Sequence, residues 1–93
     1  LKGKTMLDLG CGYGQNCLEF IKSGASEVVG VDVSKKMLEI AVAECAHEKI
    51  RYINMDMANI KSLNRKFDFV YSSLAFHYIE NLEIYVLLQL RGL

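Results

Sequence analysis

Three glycines at alternate positions lie in the run Leu7-Asp8-Leu9-Gly10-Cys11-Gly12-Tyr13-Gly14. Glycine tolerates positive φ and lets a ligand press against bare backbone. A helix that starts just after such a loop adds free N–H groups and a partial positive charge. A plain strand-to-helix turn would use the same residues. The spacing is GxGxG, because Gln15 follows Gly14, so the GxGxxG dinucleotide pattern is not met. No Gly-Lys-Ser/Thr follows, which excludes a nucleoside triphosphate P-loop. Asp8 stands two residues before the first glycine. A carboxylate there repels a pyrophosphate and suits a ligand that carries a cationic amino group. Asp32 closes the run Glu-Val-Val-Gly-Val-Asp, eighteen residues after Gly14. An acid at that point can accept both hydroxyls of a ribose. It can also cap the next helix, a role for which Ser34 competes.

Two histidines complete the candidates. His77 lies past the fourth apolar run, between Phe76 and Tyr78. An imidazole, with its ordinary pKa of about 6.5, could take a proton from a hydroxyl or amine there; packing between the aromatics is the other role open to it. His47, in Ala46-His47-Glu48, is expected at a helix end as a partner of the helix dipole.

The elements that must position these residues alternate. Thr5 to Leu9 reads as a strand and Gln15 to Lys22 as a helix, stopped by Ser23-Gly24 with Gly24 at C′. Glu27 to Asp32 reads as a buried strand. Residues 35–47 read as an amphipathic helix capped by Ser34, with Met37, Leu38, Ala41, Val42 and Cys45 on its apolar face. Ile50 to Asn54 is a third strand, 55–64 a loop with one helical turn, and Phe67 to Tyr71 a fourth strand. Leu82 to Leu90 is apolar almost all round, the mark of a buried helix. Strands alternating with helices imply right-handed crossovers and a mostly parallel sheet. Ligands of such sheets bind beyond the carboxyl ends of the strands, where the strand order reverses.

Composition bounds the rest. The chain has 93 residues, with 11 Lys plus Arg and 11 Asp plus Glu, a formal charge of zero. That balance argues against a nucleic-acid coat or a polybasic membrane patch. No run approaches the ~18 apolar residues of a membrane span, and no secretory signal opens the chain. Cys11, Cys17 and Cys45 lack CxxC spacing, so neither a disulfide framework nor a metal site is expected, and reduced thiols in the cytoplasm are. Apolar residues make up 52%, yet a chain this short buries only about two-thirds of its unfolded surface. Some apolar surface is left for a partner or further chain, and with Leu1 at the start a piece of a longer protein is expected.

Taken together, these motifs resemble the class I S-adenosylmethionine-dependent methyltransferases. The residues that carry the resemblance are Leu7 to Gly14, Val29-Gly30-Val31-Asp32-Val33-Ser34-Lys35-Lys36-Met37-Leu38, Asn54-Met55-Asp56-Met57, and Phe67 to Tyr78. It runs from about residue 3 to residue 82 and is nearest the small-molecule type, such as the ubiquinone- and menaquinone-biosynthesis enzymes. The resemblance implies an α/β, Rossmann-like sheet in the order 3-2-1-4, truncated from the family's seven strands. It implies S-adenosylmethionine as cofactor and S-adenosylhomocysteine as product. By the same resemblance, the backbone of Gly10, Cys11, Gly12 and Gly14, with Tyr13 in the same loop, lines the methionine and ribose. Asp8 holds the amino group, directly or through water, and Asp32 the ribose diol. Val33 and Met37 pack on the adenine. Asp56 accepts from the adenine amino group, the Met57 N–H meets a ring nitrogen, and Ser72 and Ser73 sit near the methionine part. An apolar face and an edge acceptor are what a planar adenine needs. A core role for Met37 and a solvated one for Asp56 are the alternatives for those residue types.

Absent motifs narrow the acceptor. The chain has no proline, so it lacks the (Asp/Asn/Ser)-Pro-Pro-aromatic motif of enzymes that methylate the amino groups of DNA bases and the Pro-Cys of the cytosine C5 class. Glu80 and Glu83 have the wrong spacing for the protein arginine type, and Ser72 stands where the catechol type has a metal-binding carboxylate. A small organic acceptor remains, with modified-tRNA methylation still open and DNA not expected. With strands five to seven absent, an open fourth-strand edge or the apolar last helix would favour self-association. The competing readings are a non-catalytic remnant or interaction module on the same fold, and half of an NAD-dependent oxidoreductase, against which GxGxG with Asp8 speaks.

Overall fold

A computed structural model describes residues 1–72. The elements are β1 (Thr5–Leu9), α1 (Gln15–Lys22), β2 (Glu27–Asp32), α2 (Lys35–Glu44), β3 (Ile50–Asn54), a 3-10 helix (Met57–Leu63) and β4 (Phe69–Ser72). The four strands form one sheet in the order β3-β2-β1-β4, and every pairing is parallel. The order expected from the sequence is the order found. Leu7 stands opposite Val29 on one side and Val70 on the other, and Asp32 at the end of β2 stands opposite Asn54 at the end of β3.

Period-two alternation sorts the strand side chains into two cores. On one face Met6, Val28 and Ile50 pack with Cys11, Cys17, Ala25 and Leu38, under the two helices. On the other Leu7, Leu9, Val29 and Val31 pack with Ile60 of the 3-10 helix and with Phe67. β1 and β2 are buried on both faces, which is why they read as continuous apolar runs.

Helix ends follow local chemistry. Past α1, the Gly24 N–H donates to the Ile21 carbonyl at 2.9 Å and the Ala25 N–H to the Phe20 carbonyl at 3.1 Å. This is the Schellman pattern that a C′ glycine permits. α2 starts as expected, with the Ser34 hydroxyl accepting from the Met37 N–H at 3.2 Å. It stops at Glu44, three residues short of the expected end. His47 is therefore not a helix-dipole partner. Its Nδ1 accepts from the Lys49 N–H at 3.0 Å, within a turn that leads into β3. Val42 also departs from the expected apolar face, being 56% exposed, whereas Leu38, Ala41 and Cys45 are buried.

β4 begins two residues later than expected. Phe67 is turned into the second core, 2% exposed, and Asp68 binds the start of β1 before the ladder can form. The Asp68 carboxylate accepts from the Thr5 N–H at 2.8 Å, and the Asp68 N–H donates to the Thr5 hydroxyl at 3.0 Å. Beside this clamp Arg65 makes a bidentate pair with Glu27, at 3.2 and 2.6 Å, and lies 4.5 Å above the Phe67 ring. The loop expected over 55–64 is mostly the 3-10 helix, capped where the Asp56 carboxylate accepts from the Ala58 N–H at 2.9 Å.

Candidate functional site

β1 and β2 run parallel and adjacent, so the loops that leave their carboxyl ends meet at one end of the sheet. The glycine loop hangs from β2 as well as β1: the Gly10 and Cys11 N–H groups both donate to the Val31 carbonyl, at 2.8 and 3.0 Å. Gly10, Gly12 and Gly14 all have positive φ, 74°, 55° and 87°. A Cβ on Gly12 would meet only the Met37 sulfur, at 4.0 Å, so the loop is open at that point.

Asp32 ties the two loops together. One carboxylate oxygen accepts from the Gly12 N–H and the other from the Ser34 N–H, both at 2.8 Å. Each oxygen can accept a further hydrogen bond. Ser34 is the side-chain cap of α2, so Asp32 is left to hold backbone. Asn54 supports the same turn from β3, its side-chain amide donating to the carbonyls of Asp32 and Val33 at 3.0 and 3.1 Å. Val33 and Met37 stand on the rim, 69% and 37% exposed. Val33 thus offers a large exposed apolar surface, and Met37 leans toward Gly12.

Asp8 lies beneath the loop and is fully buried. One of its oxygens accepts from the Cys17 thiol at 3.4 Å, and the other, Oδ1, has no hydrogen-bond partner among the described residues. Burial pushes the Asp8 carboxyl up to about 6; the Cys17 hydrogen bond opposes this, and the nearby Asp32 charge adds to it. Cys17 is itself held as a thiol, first by its hydrogen bond with Cys11, then by burial and the Asp8 charge. All three cysteines are free thiols and buried.

Asp56 and the Met57 backbone follow β3 and open the 3-10 helix. Asp56 is exposed, with one oxygen committed to the cap and the other left to accept. Tyr13 is 46% exposed on the outside of the loop. Ser72 ends β4, paired with Leu9. Ser73, His77 and the apolar run Leu82 to Leu90 lie outside the described residues. The structure thus gathers Asp8, the glycine loop, Asp32, Val33, Met37 and Asp56 at one end of the sheet.

Some contributors had no role assigned from the sequence. Gly30 faces the loop from β2, where a Cβ would press on the sulfurs of Cys11 and Cys17 at 2.9 and 3.0 Å. Asn54 and Tyr52 are placed by the register of β3 and act through side-chain hydrogen bonds to backbone carbonyls. Pairing the carboxyl ends of β2 and β3 in the sequence would have set Asn54 opposite Asp32.

The chain matches the methyltransferase-domain family over residues 6–90. It is 41% identical over 87 residues to an uncharacterized protein of Haemophilus influenzae, covering 87% of this chain and 34% of that one. It is 31% identical over 88 residues to the ubiquinone biosynthesis O-methyltransferase of Pelagibacter ubique, covering 92% of this chain and 36% of that enzyme. The fold is similar to the crystal structure of an S-adenosylmethionine-dependent methyltransferase from Mesorhizobium loti, with a TM-score of 0.77, 36% identity, and 96% of this chain and 42% of that one covered. The chain spans about a third of the length of the curated relatives it matches. Among the described residues, no helix is long and apolar enough to cross a membrane. A parallel sheet ordered 3-2-1-4, a GxGxG loop over its central strand and a family match along most of the chain lead to one assignment: this chain belongs to the methyltransferase-domain family and has its class I, Rossmann-like fold.

Proposed function

We propose that this chain supplies the S-adenosylmethionine site of a methyltransferase acting on a small organic acceptor. The observation that carries the reading is Asp32, braced by the Gly12 and Ser34 N–H groups with its remaining lone pairs free to accept a ribose diol. The orphaned Asp8 Oδ1 fits the same ligand. A buried carboxylate short of one partner offers negative potential where the ammonium of a methionine moiety would lie, through water or across the loop backbone. A pyrophosphate would meet that charge unfavourably.

When bound, the cofactor supplies a methyl group on a sulfonium, ready for direct displacement. The chain's own residues then bind, orient and exclude water. The glycine loop presents backbone to the methionine and ribose. Val33 and Met37 cover the adenine, Asp56 accepts from its amino group, and the Met57 N–H meets its ring. Ser72 stands at the switch between β1 and β4, on the side where the acceptor enters. No side chain of the described residues is required as a base. The ubiquinone O-methyltransferase relative, aligned along nearly the whole chain, supports a small acceptor. The three free thiols suit a reducing compartment, the cytoplasm. Phe69 and Tyr71 of β4 are 45% and 40% exposed, which favours self-association of this chain through that edge, read out by sedimentation over a range of concentrations.

Calorimetric titration of the 93-residue chain with S-adenosylhomocysteine tests the reading. Binding is expected, and Asp32→Ala should weaken it by at least about thirtyfold, roughly 2 kcal/mol for two hydroxyl contacts to a charge. Binding that survives this substitution, or saturable binding of NADH instead, would overturn it. A folded chain that binds neither would favour the non-catalytic module.

A further inference from the structure

We propose that Tyr52 is a positioning residue for the glycine loop: wedged between the end of α2 and Gly14, it sets how deep the loop sits and so the affinity for the cofactor. The inference rests on the cofactor reading above.

Tyr52 is the third residue of β3 and stands opposite Gly30 of β2. Its hydroxyl donates to the Cys45 carbonyl at 2.7 Å, satisfying a backbone acceptor at the end of α2. The same hydroxyl lies against Gly14. A Cβ on Gly14 would fall on the Tyr52 hydroxyl, and would be 3.0 Å from the tyrosine Cζ and 3.0 Å from the Cys45 Cβ. Gly14 therefore rests on two residues that are hydrogen-bonded to each other.

Gly14 is also where two elements join. Its N–H donates to the Cys11 carbonyl at 3.0 Å, closing the turn of the loop, and its carbonyl accepts from the Leu18 N–H at 3.2 Å, opening α1. At φ +87° it adopts a conformation that any side chain would strain. Moving Gly14 moves the loop and the start of α1 together. A tyrosine ring has only two side-chain torsions, and this one is locked by its hydroxyl bond, so it acts as a stop. Burial pushes the phenol well above its ordinary range, so the hydroxyl remains a donor across neutral pH. Removing it leaves room for the loop to sink toward β3, away from the ligand.

The test is a double-mutant cycle on the 93-residue chain, titrated with S-adenosylhomocysteine at low temperature, with folding followed by circular dichroism. Tyr52→Phe is expected to remain folded and to weaken binding about fivefold. Gly14→Ala is expected to weaken it by more than about a hundredfold. In the Tyr52→Phe background that second loss should shrink by at least about threefold, because the atom the new methyl would strike is gone. A tyrosine with a purely structural role would lower the Tm and leave the Kd of the folded variant unchanged. If Gly14→Ala does not fold, Tyr52→Trp replaces it: a bulkier stop should lift the loop and weaken binding about tenfold. An unchanged Kd in folded Tyr52→Phe, losses that simply multiply, or an unchanged Kd in folded Tyr52→Trp would overturn the proposal while leaving the cofactor reading intact. A wild-type chain that does not bind S-adenosylhomocysteine would overturn both.

Discussion

Asp8 and Asp32 are close enough for each to feel the other's charge, yet they are treated oppositely by their surroundings. Asp32 has a backbone donor on each oxygen, whereas Asp8 has one thiol and an oxygen with no partner among the described residues. The folded Asp8 carboxyl holds its proton up to about pH 6, while the unfolded one loses it near the ordinary 3.8. Between these values the folded state binds more protons, so stability falls as pH rises through that window and stays lower above it. Asp8→Asn is therefore expected to raise stability at pH 7.5 by on the order of 2 kcal/mol, with the gain fading as pH falls from about 6 to about 4 and absent below that. Urea titrations at the two pH values check this. The same substitution should weaken S-adenosylhomocysteine binding at pH 7.5; tighter binding would deny Asp8 a role toward the ammonium. The position of Asp8 could be read in the sequence from its place before the first glycine. Its burial could not, because burial depends on α1 closing over it through Cys17. The packing roles of Tyr52 and Gly30 were not legible for a similar reason: what a tyrosine or a glycine in a strand packs against is unknown until its neighbours across the sheet are known.

At the scale of elements, β1, α1, β2 and β3 were legible to the residue, since each is bounded by a glycine, a cap or a change of period. The misses lie where a side chain leaves its element for a distant partner. α2 was expected to run on through His47, but it ends where the Cys45 carbonyl turns to the Tyr52 hydroxyl. β4 was expected from Phe67, yet Phe67 is taken by the second core and Asp68 by Thr5. The Thr5–Asp68 clamp predicts a local effect. Asp68→Ala should speed amide exchange at Thr5 and along β4 while leaving β2 and β3 near their wild-type rates. The Thr5 N–H holds the Asp68 carboxyl below its ordinary range, so the clamp is strongest above about pH 4 and is lost as pH falls through the lowered value. Uniform acceleration across all strands would show that the clamp has no local role.

For the whole molecule, these ionisations act together. Glu27 is held below its ordinary range by Arg65, and Asp68 by Thr5, so both favour the folded state above about pH 4. Asp8 opposes it as pH rises toward about 6 and beyond. Thermal melts across pH 3–8 should therefore peak on the mildly acidic side, and Asp8→Asn should flatten the alkaline limb alone. The strand order was legible through the family resemblance, since strand–helix alternation alone implies only a mostly parallel sheet; the acceptor was not, because in the proposed reading the described residues serve the cofactor end. The clamp of Thr5 to Asp68 also has a temporal side. The two residues are 63 positions apart, and β1, synthesised before the other three described strands, is an inner strand of the sheet. It needs β2 on one side and β4 on the other, so its apolar run must wait for most of the chain to be made. Parallel sheets of this kind fold late and slowly for their size, and during synthesis β1 is the segment that a chaperone would have most reason to hold.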